Sequence, residues 1–307
     1  MSRFFQPKYI ANSIRIKSKA GRLKSKFGKT PYEAFKEDVI LSELADIPVQ
    51  YNEKYESFAY FNLESARKYY KNKKSLIHDI MLALVEYNEM LEAQNFDSER
   101  LIDLALSIIK HTTYLDALPQ LMVDVDFGKF DIKGKVYSGI IQAKAASFLL
   151  RVSRVTGDDK YMKWAEGLLL ACLKLKRDGG ICIQNEYVKS WSEEYNTKTP
   201  SMVLNGYLFV LIAMAEVLNF SQNYDLKLGF KYGVETLLSW LPFFQQDGDV
   251  LYSMYHWDLS NVHYMGVVDH QMNHLCALID LDALNIFHQL VKDGYSTELF
   301  QSMIRKG

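Results

Sequence analysis

The sequence predicts a mainly α-helical protein, built as an (α/α) toroid or an incomplete α/α barrel with short β-hairpins inserted between pairs of helices. Apolar residues recur with helical spacing in ten segments, and most of these come in pairs. Turn-rich, strand-like pieces precede two of the later pairs, at 179–183 and 247–252. A unit of two helices and a hairpin cannot bury its apolar faces alone, so it must stack on its neighbours. The helical segments lie near 32–46, 60–72, 75–94, 97–117, 138–155, 159–176, 201–219, 226–242, 262–281 and 283–305.

The composition is uniform after the first thirty residues and favours a single domain. The 307-residue chain is 49% hydrophobic and 24% charged, as in a globular protein that buries a large core. We therefore expect a basic N-terminal arm over 1–30 and one helical, toroid-like domain over 31–307. The net charge of -1 gives no overall attraction to nucleic acid, and we expect no nucleic-acid partner.

The N-terminal arm is strongly basic. Residues 1–29 contain nine Lys or Arg and no Asp or Glu, which is typical of a solvated tail or of a contact with a polyanion or an anionic membrane surface. Polar residues interrupt 10–16, so the arm lacks the apolar core of a signal peptide. Polar and charged residues within 202–220 favour a buried helix over a transmembrane one. We expect a soluble, cytoplasmic protein, and three cysteines without ligand-like spacing also indicate a reducing compartment and core packing.

Several motifs lie in the second half of the chain. The longest is WSEEYNTKTPSMVLNG at 191–206, and YSGIIQAKAAS precedes it at 137–147. LYSMYHW follows at 251–257 and DHQMNH at 269–274. Together these motifs resemble the D-glucuronyl C5-epimerase family, whose W-x-E-E-Y, T-P-S and V-L-N-G elements have the same spacing as in 191–206. The resemblance covers 137–295, the region that is similar to the family's C-terminal catalytic domain.

The resemblance implies an enzyme that inverts C5 of D-glucuronic acid units in an acidic polysaccharide to L-iduronic acid, without a cofactor. A proton next to a carboxylate is weakly acidic, so acid/base groups must act on both faces of the sugar. The family's catalytic positions fall on Glu194, Tyr195 and Tyr252, the first two in a polar loop between a hairpin and a helix. The structural alternatives are a loop carboxylate for Glu194, an aromatic packed on Trp191 for Tyr195 and a core strand tyrosine for Tyr252.

Two positions depart from the family pattern. Tyr255 stands where the family has an arginine suited to the substrate carboxylate, and losing a fixed cation is not conservative. His270 stands where the family has a tyrosine, and because histidine transfers protons near neutral pH, we include it in the catalytic set. Either difference indicates altered chemistry or an altered substrate. The predicted substrate-binding residues are Tyr137, Gln142, Trp191, Asn205, Tyr255, His256 and His274.

Two clusters allow other interpretations. Four histidines lie within 256–274, and His270 and His274 have the i, i+4 spacing of metal ligands on a helix. The sequence contains no H-E-x-x-H motif, and we expect no metal site. A basic run over 144–177 is either a solvated helix face or a groove for an acidic polysaccharide.

Three functional alternatives to an epimerase stay open. A polysaccharide lyase would remove the same C5 proton and then expel the substituent at C4. A non-catalytic acidic-glycan-binding protein would keep the scaffold and lose the chemistry. A hydrolase of the same architecture would need two carboxylic acids across the cleft, and the sequence offers only Glu193 or Glu194. A homodimer is compatible with each of these alternatives.

Overall fold

The structure, a computed structural model, is mainly helical, which confirms the predicted fold class at that level. It describes residues 47, 49–50, 75–185, 188–246, 249–254, 258–259, 262–289 and 291–292. The predicted helices near 32–46 and 60–72 and the basic arm lie outside the described residues.

The helices and strands follow in this order. The helices are α1 (Leu76–Glu92), α2 (Ser98–Ile109), α3 (Gly139–Thr156), α4 (Asp159–Cys172), α5 (Leu204–Leu218), α6 (Tyr224–Phe244) and α7 (Val262–Leu278), and 282–289 is also helical. The strands are β1 (Thr112–Leu115), β2 (Leu118–Phe127), β3 (Ile132–Tyr137), β4 (Cys182–Asn185), β5 (Val188–Ser192), β6 (Gln245–Gln246), β7 (Asp249–Ser253) and β8 (Asp258–Leu259).

Helix α5 lies at the centre of the molecule. All its residues from Leu204 to Val217 are buried, because the segment is apolar on nearly every side. It packs against α3, α6 and α7, and α3 packs in turn against α1, α2 and α4. The helices on both sides of α5 therefore contribute to one large apolar core.

Helices α3 and α5 run in the same direction. Gly139 at the start of α3 lies against Val210, and Ser147 farther along donates a hydrogen bond to Glu216 near the end of α5. Helix α7 also runs in this direction, because Gln271 bonds Asn205 at the start of α5 and His274 lies beside Glu216 near its end. Adjacent parallel helices are what the (α/α) prediction requires, and their closure into a toroid remains a prediction.

The region before α3 differs from the prediction. A helix was expected over 97–117, but α2 ends at Ile109 and the chain continues as the β1–β2 hairpin. Threonine and tyrosine in β1 favour a strand, and the two-residue turn at Asp116 and Ala117 has positive φ at both positions, as in a type I′ turn. β2 then pairs with β3, so the helical prediction is wrong over 112–117, and the strand at 118–127 was not predicted.

The later strand-like pieces are confirmed. β4 and β5 form a hairpin before α5, and β6, β7 and β8 form a small antiparallel sheet before α7. An isolated bridge between Val203 and Ser253 connects this sheet to the segment that leads into α5. The hairpins thus meet at the end of the molecule where α3 and α5 begin.

Two other expectations concern the core and membranes. Cys172 and Cys182 are buried free thiols, as predicted for core packing, and Cys276 is partly buried. Among the described residues, no helix is long and apolar enough to cross a membrane.

Candidate active site

The loop between β5 and α5, residues 193–203, forms the centre of the candidate site. The backbone N–H of Gly139 donates to the carbonyls of Glu193 (3.2 Å) and Glu194 (3.1 Å). The N–H of Asn196 donates to the carbonyl of Tyr137 at 3.0 Å. These bonds hold the loop against the start of α3. A side chain at Gly139 would collide with the Glu193 carbonyl, so the close approach requires glycine there.

Trp191 fixes the start of this loop from inside the core. Its side chain is fully buried, and its ring stacks on Tyr207 with centroids 4.0 Å apart and on Phe244 with centroids 5.7 Å apart. Trp191 was predicted to bind substrate, whereas the structure packs it between helices α5 and α6. This packing holds the end of β5 and thereby the position of the residues that follow it.

Glu193 is a buried carboxylate that shapes the loop. It accepts hydrogen bonds from the backbone N–H groups of Ser201 (2.8 Å) and Met202 (3.0 Å) and from the Ser201 hydroxyl. Burial raises the pKa of Glu193, and the hydrogen bond from the Ser201 hydroxyl opposes that shift. Glu193 therefore ties the two ends of the loop together at the entry to α5.

Glu194 turns toward the first turn of α5. Its side chain lies against Gly206, where an added Cβ would be 2.6 Å from the Glu194 Cβ and 2.8 Å from its Oε2. Glu194 is buried. Glycine at 206, predicted here only as part of a motif, thus leaves the space that the carboxylate fills.

Tyr195 and Tyr252 lie close to Glu194 although they come from different elements. Tyr195 follows Glu194 in the loop, and Tyr252 is in β7. Burial raises the pKa of both phenols, and the negative charge of the nearby Glu194 carboxylate raises them further. Tyr195 is hydrogen-bonded to Glu194, so the carboxylate and this phenol form a pair. Both tyrosines are consequently protonated, proton-donating groups at neutral pH.

Tyr264, in the first turn of α7, completes this group and was missed from the sequence. Its ring lies 4.5 Å from that of Tyr252, centroid to centroid, and it is hydrogen-bonded to Tyr252. Its charged form would also raise the pKa of Tyr195. No motif marks Tyr264, because the motif match on this helix falls on 269–274, after Tyr264.

A hairpin outside the predicted site adds an aromatic wall. Phe127 ends β2, and Phe130 lies in the turn that leads to β3. Phe127 packs edge-on to Tyr195 with centroids 6.1 Å apart, and Phe130 lies 6.3 Å from Tyr195 and 6.5 Å from Tyr252. With Ile132, Val203 and Tyr252 buried in the same cluster, the hairpin covers Tyr195 and Tyr252 with apolar surface. Because apolar periodicity did not predict this hairpin, Phe127 and Phe130 were not predicted as part of the site.

Asn205 and Gln271 form a buried polar contact beside Glu194. The Gln271 side-chain NH₂ donates to the Asn205 carbonyl at 2.7 Å. The side-chain oxygens Asn205 Oδ1 and Gln271 Oε1 are buried and have no hydrogen-bond partner among the described residues. Each can accept a bond from a donor such as a hydroxyl group. Asn205 was predicted to contact substrate, and Gln271 was not.

His274, which is on α7, lies in a buried charged cluster beside the later turns of α5. Its Nε2 is 3.6 Å from Glu216 Oε1, and Arg151 forms an ion pair with the same carboxylate at 2.8 Å. Burial works against ionisation of Glu216, but the Arg151 guanidinium outweighs it and lowers the pKa of Glu216. Burial lowers the pKa of His274 to about 4, so its ring is neutral at pH 7. Lys144 is also buried, with its Nζ 3.7 Å from the centroid of the Phe209 ring.

The remaining predicted residues occupy varied positions. Gln142 is buried and bonds both the N–H and the carbonyl of Leu121, which joins α3 to β2, while Tyr137 is partly buried at the end of β3. His270 is exposed on α7. Tyr255 and His256 lie outside the described residues. Within the described part of the chain, no three His, Cys, Asp or Glu side chains gather as metal ligands would.

Known proteins show a similar sequence over this region. The family model described as D-glucuronyl C5-epimerase C-terminus matches residues 122–295, more than half of the chain. A D-glucuronyl C5-epimerase of Caenorhabditis elegans is 27% identical over 151 residues, which cover 41% of this chain and 24% of that protein. The chain therefore matches about a quarter of that relative's length. The family match begins within β2, upstream of the predicted start at 137, and so includes the hairpin with Phe127 and Phe130.

Proposed function

The chain belongs to the D-glucuronyl C5-epimerase C-terminal family, and from this premise we propose that it inverts C5 of hexuronic acid units in an acidic polysaccharide. The reaction interconverts D-glucuronate-type and L-iduronate-type units by proton transfer on opposite faces of the ring. The observation that carries the proposal is the proximity of Glu194, Tyr195 and Tyr252, which come from a loop and a strand far apart in sequence.

The acid/base roles follow from the charges in this group. Glu194, as a carboxylate paired with Tyr195, accepts the C5 proton on one face of the sugar. Tyr252, whose pKa is raised by burial and by Glu194, keeps its proton until it donates it to the opposite face. In the reverse direction the two groups exchange roles. No redox step is involved, so no redox cofactor is required.

The surroundings support these roles. Phe127 and Phe130 keep bulk water from the tyrosines, which strengthens electrostatic interactions within the site. Asn205 provides a buried acceptor for a sugar hydroxyl. Tyr137, Gln142, Trp191 and His274 serve the site by holding its elements in place, and we retain Tyr255 and His256 as contacts to the substrate.

His270 is the fourth residue of the sequence-based catalytic set. It is exposed on α7, whereas the other three are buried or partly buried. We keep it in the proposal as a group at the solvent edge of the site. Replacing it with phenylalanine tests this role, since loss of a required acid/base group costs about 10²–10⁴-fold in rate.

Deuterium exchange tests the function. The protein is incubated in deuterated water with heparosan and with other uronate polymers, and C5 deuterium is measured together with the iduronate content. Deuterium at C5 with inversion supports the epimerase. An unsaturated uronate product would instead indicate the lyase, and binding without exchange from every polymer would indicate the glycan-binding protein.

A further inference from the structure

Tyr264 is a partly exposed neighbour of the buried Tyr252. Tyr252 is buried, with 6% of its surface exposed, whereas Tyr264 is only partly buried. Their rings are 4.5 Å apart at an angle of 50°, and their hydroxyl groups are hydrogen-bonded. Tyr264 therefore gives Tyr252 a hydrogen-bonded neighbour on a side chain that solvent partly reaches.

An epimerase that uses two different groups needs such a connection after each turnover. When Glu194 has taken the C5 proton and Tyr252 has given one, Glu194 is protonated and Tyr252 is a phenolate. The next turnover in the same direction requires the opposite protonation states. Because Tyr252 is covered by Phe130 and the core, its phenolate has little direct access to water.

We propose that Tyr264 is the proton relay that restores Tyr252 between turnovers, an inference that depends on the epimerase function proposed above. The Tyr264 hydroxyl donates its proton to the Tyr252 phenolate as the hydrogen bond between them reverses. Tyr264 then takes a proton from water or a buffer acid, while Glu194 releases its proton to solvent. One proton enters and one leaves, so the protein returns to its starting state with no net change.

Helix geometry favours Tyr264 over His270 for this role. Positions six residues apart on an α-helix are separated by about 120° around its axis, so His270 projects from a different face of α7. Positions seven apart nearly coincide, differing by about 20°, and Gln271, seven residues after Tyr264, bonds Asn205. The face of α7 that carries Tyr264 is therefore the face that packs on the start of α5.

A single-turnover experiment with Tyr264→Phe separates a relay from a structural contact. The variant keeps the ring contact with Tyr252 and loses only the hydroxyl. With enzyme in excess over heparosan uronate units in deuterated water, the first incorporation at C5 is expected to stay within about twofold of wild type. Steady-state turnover is expected to fall at least about tenfold with KM nearly unchanged. Added imidazole, which carries protons, should restore much of the lost turnover.

Control variants complete the test. Tyr224→Phe removes a hydroxyl from an exposed tyrosine at the start of α6 and should leave turnover unchanged. Tyr264→His retains a group that can carry a proton and should keep most of the turnover. It also provides a second measurement should the phenylalanine variant fold poorly.

Two results would overturn the relay. Unchanged steady-state turnover in Tyr264→Phe would show that Tyr252 regains its proton by another route. An equal loss in the first and later turnovers, without rescue by imidazole, would assign Tyr264 to positioning Tyr252. Absence of C5 exchange in the wild-type protein would remove the epimerase function and the relay together, and that outcome is distinct from the first two.

Discussion

The side chain of Glu194 lies directly on Gly206, so closely that a methyl group at Gly206 would be 2.8 Å from the carboxylate oxygen Oε2. The first turn of α5 and the loop over 193–203 thus fit together only when residue 206 has no side chain. This contact couples the helix start to the position of the carboxylate, and it provides a test of Glu194 that leaves Glu194 itself unchanged.

Gly206→Ala should reduce epimerase activity by about tenfold or more. The added methyl group must displace Glu194, and a shift of about 1 Å in a reacting group can cost about 100-fold in rate. C5 deuterium exchange measures the effect. Gly128→Ala is the control, because a methyl group there meets no atom within 4 Å. Full activity in Gly206→Ala would mean that the position of Glu194 does not matter for the reaction.

The neighbouring carboxylates Glu193 and Glu194 should respond differently to the same substitution. Glu194→Gln should lower the exchange rate by about 10²–10⁴-fold with little change in thermal stability. Glu193→Gln turns an amide group toward the N–H groups of Ser201 and Met202, and should lower the free energy of unfolding by about 1–3 kcal/mol. Exchange assays and urea unfolding of both variants distinguish the roles. If Glu194→Gln lost stability and kept its activity, the assignment would be reversed.

The buried pair between Arg151 and Glu216 should be important for stability. Arg151→Met leaves the Glu216 carboxylate buried without its guanidinium partner, and should cost about 3–5 kcal/mol in the free energy of unfolding. Arg100→Met, which breaks a more exposed pair with Glu86, should cost about 1 kcal/mol or less. Urea unfolding of the two variants provides the comparison. Equal losses would contradict the distinction between buried and exposed pairs.

Lys144 should give the protein a measurable pH dependence of stability. Burial lowers its pKa to about 7, and Glu216 only partly opposes this shift. Between pH 7 and about 10 the unfolded chain therefore binds a proton at Lys144 that the folded chain does not, so stability rises with pH in that range.

Lys144→Met removes this group and isolates its contribution. The stability of wild type relative to the variant should increase by up to about 1.4 kcal/mol per pH unit between pH 7.5 and 9.5. Urea unfolding of both proteins at several pH values measures the difference, because the other titrating groups are common to both. A difference that does not vary with pH would mean that Lys144 keeps its ordinary pKa.

The sequence was sufficient to predict most helices and the loop that carries Glu194 and Tyr195. Long apolar periodicity identifies helices such as α5, and the turn residues before it separate the hairpin from the helix. Periodicity failed at the β1–β2 hairpin, where it predicted a helix over 112–117 and no strand over 118–127. Apolar residues there can fit either pattern, and the turn at Asp116 and Ala117 carries no glycine. The aromatic wall of Phe127 and Phe130 was lost with that hairpin.

On helix α7, the sequence motif and the packing indicate different residues of the candidate site. The motif match predicts a role for His270 from its position in the chain. In the structure, it is Tyr264, on another face of the helix, that packs against Tyr252. The face could not be determined from the sequence, because it depends on how α7 rotates against α5 through Gln271 and Asn205. Trp191 is similar: its place in a motif does not reveal that it packs in the core.

The central claim is that two groups transfer protons on opposite faces of one sugar carbon. The most direct measurement is NMR analysis of C5 deuterium and configuration in heparosan treated with wild type and with Tyr252→Phe in deuterated water. We predict inversion with deuterium for wild type, and for Tyr252→Phe a loss of inversion while exchange with retained configuration persists through Glu194. Full inversion by Tyr252→Phe would contradict the account.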